Sequence, residues 1–527
     1  MQIKLHKNNI LRHLLSDKKV LIIILFLFTI SIRIPFVLMN SEAYTDPGDD
    51  GASYVMGGYN IKHYQEYKID FIRWYHRGDG YDANTITHPA FWYPPVYPAL
   101  ISFVLSINDS LRAIALANVF LFGMTIVIGF LLFGTLFGEK IALLSALILA
   151  LNPNMYHYST NILAETSYLL LSTLTFYLLI AKKNIHTKYL IIAGLLGGLT
   201  FLTKFIGAFV IMAGFIWLVA HKKYRAGIIF GAVSFVTLAP FFLLRNYILL
   251  GDPLIRFHGT GFNYPPIIET ASADLGNWLM SNIWYMGRAL LDLSENLSSP
   301  GFFWLLLPFL IIGCLRNYRD KRVSLLVIFL VTVIVGHIFV LRHSIPRYYI
   351  AIIFFLMPIA VSEMSHTLSY LCDLKIFPLS LNQQKVFMIL IIMIILTSCA
   401  STFKFQRSII ANHPDFKSQY DWINENVTSD PIITSTDPQR CNYYTGLKSV
   451  TFPTNLNAEW LDKFVNFYNA SYIEIHSHSK NLYIKNKYVI DTFFSGKEII
   501  NTGLLNIKLV HKSNAKFNTR WLYKVVN

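Results

Sequence analysis

Apolar positions in this chain come in long unbroken blocks rather than alternating with polar ones. Twelve such blocks stand at 20–39, 94–107, 111–136, 141–158, 162–181, 189–203, 205–220, 226–249, 301–315, 323–342, 347–366 and 386–403. About 20 apolar residues in helical form match the hydrocarbon thickness of a bilayer, and somewhat shorter blocks serve where the membrane thins. The pattern predicts an α-helical polytopic membrane protein. Beyond residue 404 the long blocks stop. Short stretches at 432–435, 471–476, 504–510 and 521–526 predict strands, and 419–426 and 458–469 predict helices. The chain thus divides into a transmembrane domain over 1–403 and a small soluble α/β domain over 404–527.

Composition supports that division. Hydrophobic residues make up 54% of the 527 and the mean hydropathy is +0.45, too apolar for a soluble protein of this length. The formal charge of +15 does not imply nucleic acid, because Lys and Arg fall in short clusters between apolar blocks, where they set topology and meet lipid headgroups. The bilayer is therefore an expected partner and nucleic acid is not. Cys314, Cys372, Cys399 and Cys441 are scattered, which indicates neither a disulfide framework nor a zinc site. Lys4, Lys7, Arg12, Lys18 and Lys19 precede a first block without a small-residue cleavage site, so this block is expected to remain as an anchor with a cytosolic N-terminus.

The basic clusters at 182–188, 221–225 and 316–322 should also be cytosolic. If all twelve blocks crossed, the cluster at 182–188 would lie outside. The block at 94–107 is short and carries Pro94, Pro95 and Pro98, so it reads as an interfacial or re-entrant helix. The expected topology is about 11 transmembrane helices plus this juxtamembrane helix. Outer loops 40–110 and 250–300, the turns near 154–165, Lys204 and 342–347, and the C-terminal domain then share the non-cytosolic side. The Asn-x-Ser/Thr patterns at Asn108, Asn296, Asn426 and Asn469 all fall on that side.

Just past the first block stands Asp46-Pro47-Gly48-Asp49-Asp50-Gly51, with Tyr54 four residues beyond Asp50. Pro47 and Gly48 predict a tight turn and Gly51 onward a helix. One of the acids could serve only as an N-cap; a calcium loop is disfavoured, because the alternating ligands and terminal Glu of an EF-hand are missing. Lys204, Arg245 and Arg347 are expected at outer ends of spans, where the alternative to anion binding is snorkelling. Glu165 opens a long apolar block, and it either compensates a helix dipole or acts as a second carboxylate that positions an acceptor or a metal. The aromatics Tyr44, Tyr75, Phe91, Trp92, Tyr93 and Tyr97 crowd the first outer loop, as an interfacial belt or as walls of a site. His157, His258 and His343 are external histidines without a motif, and Gly259-Thr260-Gly261-Phe262-Asn263 reads as a mobile cover.

Taken in order, these pieces resemble the GT-C glycosyltransferases, the superfamily of protein O-mannosyltransferases and aminoarabinose transferases. The acidic turn resembles their D-G-x-x-Y element, with Asp50 and Tyr54 in register. The resemblance continues through Tyr93-Pro94-Pro95-Val96-Tyr97-Pro98, Asn152-Pro153, Asn161 to Thr166, the glycine-rich stretch 194–204, Pro240 to Tyr247 and Pro346-Arg347-Tyr348. It implies a sugar donor on a polyprenyl phosphate, such as undecaprenyl or dolichyl phosphate, and inverting attack by an acceptor hydroxyl of a glycan, lipid or protein. It implies Asp50 as base, with Asp49 and Glu165 beside it as catalytic candidates, and Lys204, Arg245 and Arg347 on the donor phosphate. A substrate pocket of Tyr54, Tyr93, Tyr97, His88, Asn246 and Tyr348 follows from the same resemblance. No cofactor is implied, and a divalent metal stays open: Tyr93 precedes Pro94-Pro95 where aminoarabinose transferases carry an acid-plus-base pair, so their metal arrangement does not transfer. The active site and C-terminal domain are expected outside the cytosol. An oligosaccharyltransferase of the same superfamily is disfavoured, since the tail offers only Asp421-Trp422 in place of a W-W-D element. A decayed, noncatalytic scaffold is disfavoured by Asp50, Lys204 and Arg245. A lipid or solute transporter or flippase ranks second, because the charged residues gather at one face rather than at mid-depth on interrupted helices. In intact cells, cysteines introduced at 108–110 are expected to react with a membrane-impermeant reagent from the outer side; labelling only from the cytosolic side would restore 94–107 as a span.

Overall fold

The computed structural model describes residues 17–39, 47–72, 86, 88–90, 93–181, 186–251, 280, 283–284, 300–339, 346–373, 387–394, 396–397, 399–400, 402, 417–428, 430–452, 458–476, 492–493, 497–501, 505–515 and 518–526. Asp46, His258, His343, Asn296, the stretch Gly259 to Asn263 and most of loop 250–300 lie outside them, as do the side chains of Asp49 and His88. The chain forms two compact units. One gathers 1–41, 112–245 and 267–408; the other gathers 42–111, 246–266 and 409–527.

The first unit is helical. It contains α1 (Lys18–Ser31) and α2 (Ile34–Met39), and later α5 (Leu111–Phe137), α6 (Glu139–Leu151), α7 (Pro153–Thr160) and α8 (Glu165–Ile180). These are followed by α9 (Thr187–Thr203), α10 (Ala208–Ala220) and α11 (Tyr224–Ala239), then α13 (Pro300–Asn317), α14 (Ser324–Phe339) and α15 (Ile350–Asp373). Among the described residues four helices are long and apolar enough to cross a membrane: Lys18–Met39, Leu111–Phe137, Tyr224–Leu249 and Arg347–Tyr370. A fifth would come from α7 and α8 together, which meet at a bend of 112°. The apolar block at 141–158 is not one helix. Asn152 ends α6 and caps α7 by accepting from the backbone N–H groups of Asn154 and Met155, and Pro153 opens α7 at the one position where a missing N–H costs nothing.

The glycine-rich stretch within α9 has a packing reason. A Cβ on Gly194 would lie 2.9 Å from the Phe230 carbonyl oxygen, and one on Gly198 would lie 2.8 Å from that of Ser234. Only hydrogen at these two positions lets α9 and α11 touch backbone to backbone. Because a four-residue step on one helix matches a four-residue step on the other, the two run parallel and end together. Phe201 and Phe205 then pack edge-on against Phe242, at 5.2 and 5.8 Å between ring centroids.

The second unit joins the stretch 42–111 to the C-terminal part of the chain. Its helices are α3 (Asp49–Tyr64), α4 (Val96–Ile107), α12 (Asn246–Leu250), α16 (Lys417–Asn426), α17 (Pro438–Thr445) and α18 (Ala458–Tyr468). Helix α4 has twelve residues and packs along α3. Strands β1 (Lys68–Ile69) and β3 (His88–Pro89) pair antiparallel. The larger sheet has seven strands in the order β2-β5-β4-β6-β9-β8-β7. It comprises β2 (Phe71–Ile72), β4 (Ile432–Ser435), β5 (Ser449–Thr451), β6 (Ala470–His476), β7 (Ile499–Asn501), β8 (Asn506–Ala515) and β9 (Asn518–Val526). The strands and helices expected in the tail are present, but a domain boundary at 404 misses one component. Strand β2, from the first outer loop, completes the sheet by pairing parallel to β5, Phe71 against Ser449 and Ile72 against Val450. Ile86 of that loop is buried with Val450, Phe464 and Tyr468.

A fully buried ion cluster holds the centre of this sheet. Glu474 on β6 accepts from the Ser435 hydroxyl at 2.6 Å and from His476 Nε2 at 3.0 Å, with Arg520 Nη1 at 3.7 Å. Burial alone would raise the Glu474 carboxyl, but the charge and hydrogen bonds of His476, the Arg520 guanidinium and Ser435 outweigh it and hold the group below its ordinary value. A depressed folded value stabilises the protein above the ordinary carboxylate range and loses that contribution as pH falls through it. Glu474→Gln should therefore cost about 3–5 kcal/mol at pH 7. The gap from wild type in thermal unfolding should narrow below about pH 4, the ordinary range for a carboxylate.

Candidate active site

The first unit brings together three residues singled out from the sequence. Glu165 is the first residue of α8, where the helix dipole favours an anion, and only 1% of it is exposed. Lys204 ends α9 in extended conformation and donates from Nζ to Glu165 Oε1 at 2.5 Å. Arg347, in the 3₁₀ turn Pro346–Tyr349 that leads into α15, places Nε 3.9 Å from the same oxygen. The Tyr348 ring lies beneath both cations, 5.2 Å from Lys204 Nζ and 5.8 Å from the Arg347 guanidinium carbon.

The local chain explains this convergence. After Lys204 the backbone folds back as a 3₁₀ turn, Phe205–Gly207, so tight that a Cβ on Gly207 would lie 2.5 Å from the Phe201 nitrogen. Arg245 closes a π-helical segment, Pro240–Arg245, at the end of α11, with its guanidinium 4.7 Å over the Phe241 ring. A single π turn of this kind re-aims the residues after it. Since α9 and α11 are parallel, Lys204 and Arg245 belong to the same end of the bundle as Glu165 and Arg347. The turn ahead of Glu165 is held by Asn118, which donates to the carbonyls of Asn161 and Leu163 at 2.7 and 3.3 Å. The Thr166 hydroxyl donates to the Tyr158 carbonyl at 3.2 Å, tying α8 to α7.

The second unit holds the acidic turn. Helix α3 begins at Asp49, and its N-cap is Gly48, whose φ of 76° suits glycine. Neither Asp49 nor Asp50 is therefore the cap. Asp50 lies inside the first turn, 7% exposed, and its Oδ1 accepts from the Tyr93 hydroxyl at 2.8 Å. The Tyr54 ring meets Tyr93 and Tyr97 edge-on, with centroids at 4.9 and 5.0 Å. Tyr67 fixes the Tyr93 backbone by donating to its carbonyl at 2.8 Å. Asp50, Tyr54, Tyr93 and Tyr97 thus form one assembly, while Asn246, almost fully buried, opens α12. His88 belongs to β3.

The residues do not fit a divalent metal at Glu165, because Lys204 and Arg347 already direct two cationic groups at one of its oxygens and would repel a third. Among the described residues no three His, Cys, Asp or Glu side chains are arranged to hold a metal. Two cationic groups directed at one place suit an anion there instead. Arg33 and Asn118 went unmarked in the sequence. A charge inside an apolar block was the available signal for Arg33; nothing comparable marks Asn118.

Comparison with known proteins bears on this arrangement. Residues 92–244 match the family described as dolichyl-phosphate-mannose-protein mannosyltransferase. The structure is similar to the archaeal oligosaccharyltransferase AglB from Archaeoglobus fulgidus, in complex with an inhibitory peptide and a dolichol-phosphate. The TM-score is 0.59 at 14% identity, over 86% of this chain and 70% of that one. It is also similar to ArnT from Cupriavidus metallidurans bound to undecaprenyl phosphate, with a TM-score of 0.57 at 12% identity, over 94% of this chain and 97% of that one. No curated protein matches the sequence significantly. The fold is the GT-C glycosyltransferase fold.

Glu165→Gln should lower stability by about 3–5 kcal/mol, because it leaves two partly buried cations facing a neutral amide. Adding Lys204→Met should recover part of that loss, and a double-mutant cycle on thermal unfolding measures the coupling.

Proposed function

We propose that this protein is a membrane glycosyltransferase that moves a sugar from a polyprenyl-phosphate donor to an acceptor hydroxyl on the non-cytosolic face, with inversion. The observation that carries this reading is the pairing of Lys204 and Arg347 on the single carboxylate of Glu165, at a bundle end shared with Arg245, in a protein of GT-C fold.

The chemistry follows from charge. A sugar esterified to a lipid phosphate carries one negative charge. When the bond from the anomeric carbon to the phosphate oxygen breaks, the electron pair leaves with that oxygen and a second negative charge develops. Cations that carry a net positive charge before reaction stabilise the departing phosphate more than the bound donor, which is what accelerates the step. Glu165 holds Lys204 and Arg347 together in the absence of substrate, at the cost of offsetting one of their charges. Arg245 adds a further positive charge, and its planar fork suits a phosphate.

Asp50 serves as the base. The acceptor oxygen attacks the anomeric carbon as its proton passes to the Asp50 carboxylate. Asp50 lies in the first turn of α3, and the Tyr93 hydroxyl fixes its orientation. Asp49, beside it, is the second candidate for the same role. The rings of Tyr54, Tyr93 and Tyr97 stand beside Asp50, and the Tyr348 ring lies beneath Lys204 and Arg347.

The decisive test incubates the purified protein with a panel of polyprenyl-phosphate sugars and follows release of free lipid phosphate. Asp50→Asn is expected to lower turnover by about 10²–10⁴-fold while leaving donor binding within about twofold, as befits a general base. Normal turnover by Asp50→Asn would remove it from this role, and transport of an intact lipid or solute without phosphate release would reject the transferase reading.

A further inference from the structure

One fully buried charge has no role in the proposed chemistry. Arg33 follows α1 at a break in the first span, and none of it is exposed. Among the described residues no carboxylate pairs with it. Its three nitrogens instead donate to neutral oxygens on three elements: Nη1 to the Thr29 carbonyl at 3.0 Å, Nη2 to the Ala150 carbonyl at 2.8 Å and Nε to the Ser159 hydroxyl at 2.7 Å. Thr29 and Ala150 belong to the last turns of α1 and α6. Both helices therefore present the negative ends of their dipoles to the guanidinium, a compensation that needs no acid. The Phe122 and Tyr156 rings flank its carbon at 4.5 and 5.1 Å, and the Tyr156 hydroxyl donates to the Ile32 carbonyl at 3.1 Å. Only a planar fork satisfies three acceptors in different directions at once; a lysine ammonium on its flexible stem does not reproduce that geometry.

What this staple fixes is α7. Ala150 is two residues from Asn152, which caps α7, and Ser159 and Tyr156 lie on α7 itself. Helix α7 continues into the turn that Asn118 holds and then into Glu165, while Thr166 reaches back to α7. We propose that Arg33 is a positioning residue for the Glu165, Lys204 and Arg347 group, acting through α7 to set where the Glu165 carboxylate meets its two cations. Its consequence for donor-phosphate binding rests on the proposed function.

The test uses full-length protein with Arg33→Lys, and Ser159→Ala as a gentler cut of one arm. The first readout does not depend on function. Lys204, paired with Glu165, should react slowly with an amine reagent followed at that residue by mass spectrometry, and Arg33→Lys should raise the rate about tenfold, with Ser159→Ala intermediate. An unchanged rate in both variants overturns the proposal. If Arg33→Lys fails to fold, Ser159→Ala alone decides. The second readout is the dissociation constant for polyprenyl phosphate, expected to rise about tenfold in Arg33→Lys while the acceptor KM stays within twofold. Equal losses for both ligands would make Arg33 a merely structural residue and overturn the assignment. If the unaltered protein binds no polyprenyl phosphate, the proposed function fails, and the Lys204 reactivity still decides the role of Arg33.

Discussion

A carboxylate that is almost wholly removed from water needs a partner, and at Glu165 that need organises the first unit. Its charge is met by Lys204 from the end of α9 and by Arg347 from the turn before α15, so three helices are obliged to bring their ends together. Taking one cation away leaves the others mismatched in a poorly hydrated place. The glycines of α9 serve the same end by geometry rather than charge: they let α9 and α11 touch backbone to backbone, so that Phe201, just before Lys204, packs on Phe242 beyond the end of α11.

The same region shows two ways of burying a cation. Lys204 meets a full negative charge at Glu165, whereas Arg33 meets only carbonyls, a hydroxyl and ring faces. The first arrangement presents a donor of the kind that accepts a carboxylate or a phosphate as its partner. The second does not, since two of its three acceptors are backbone carbonyls at the ends of the helices it joins and the third is the Ser159 hydroxyl. One suits binding and the other suits construction.

Much of this was legible in the chain. Apolar blocks locate the long helices, and alternation beyond residue 404 locates the strands of the tail, because periodicity reflects which face is buried. Glu165, Lys204 and Arg347 stood out as charges at block edges, and they do meet. Other features were hidden for identifiable reasons. Asp50 looks like an N-cap by residue type, but Gly48 takes the cap because the turn requires a positive φ. The break at Asn152 falls inside the block read as 141–158, since Met155, Tyr156 and Tyr158 continue its run of large side chains while Pro153 starts a new helix. Strand β2 is two residues long and carries no pattern of its own; its place is decided by a partner strand far along the chain.

That pairing has a consequence for how the molecule is made. Phe71 is synthesised long before Ser449, so the stretch that follows the Asp50 helix is made well before the strand it pairs with. Until the tail emerges, β2 has no strand partner and Ile86 lacks Val450, Phe464 and Tyr468, the residues it is buried against. Non-local strand pairing is slow and leaves edges open to wrong partners. The seven-stranded sheet is therefore completed last although one of its strands is translated among the first, and a chain released before its tail would carry that strand without its partner. Closure of the sheet thus depends on a chain that has been made to its last strands.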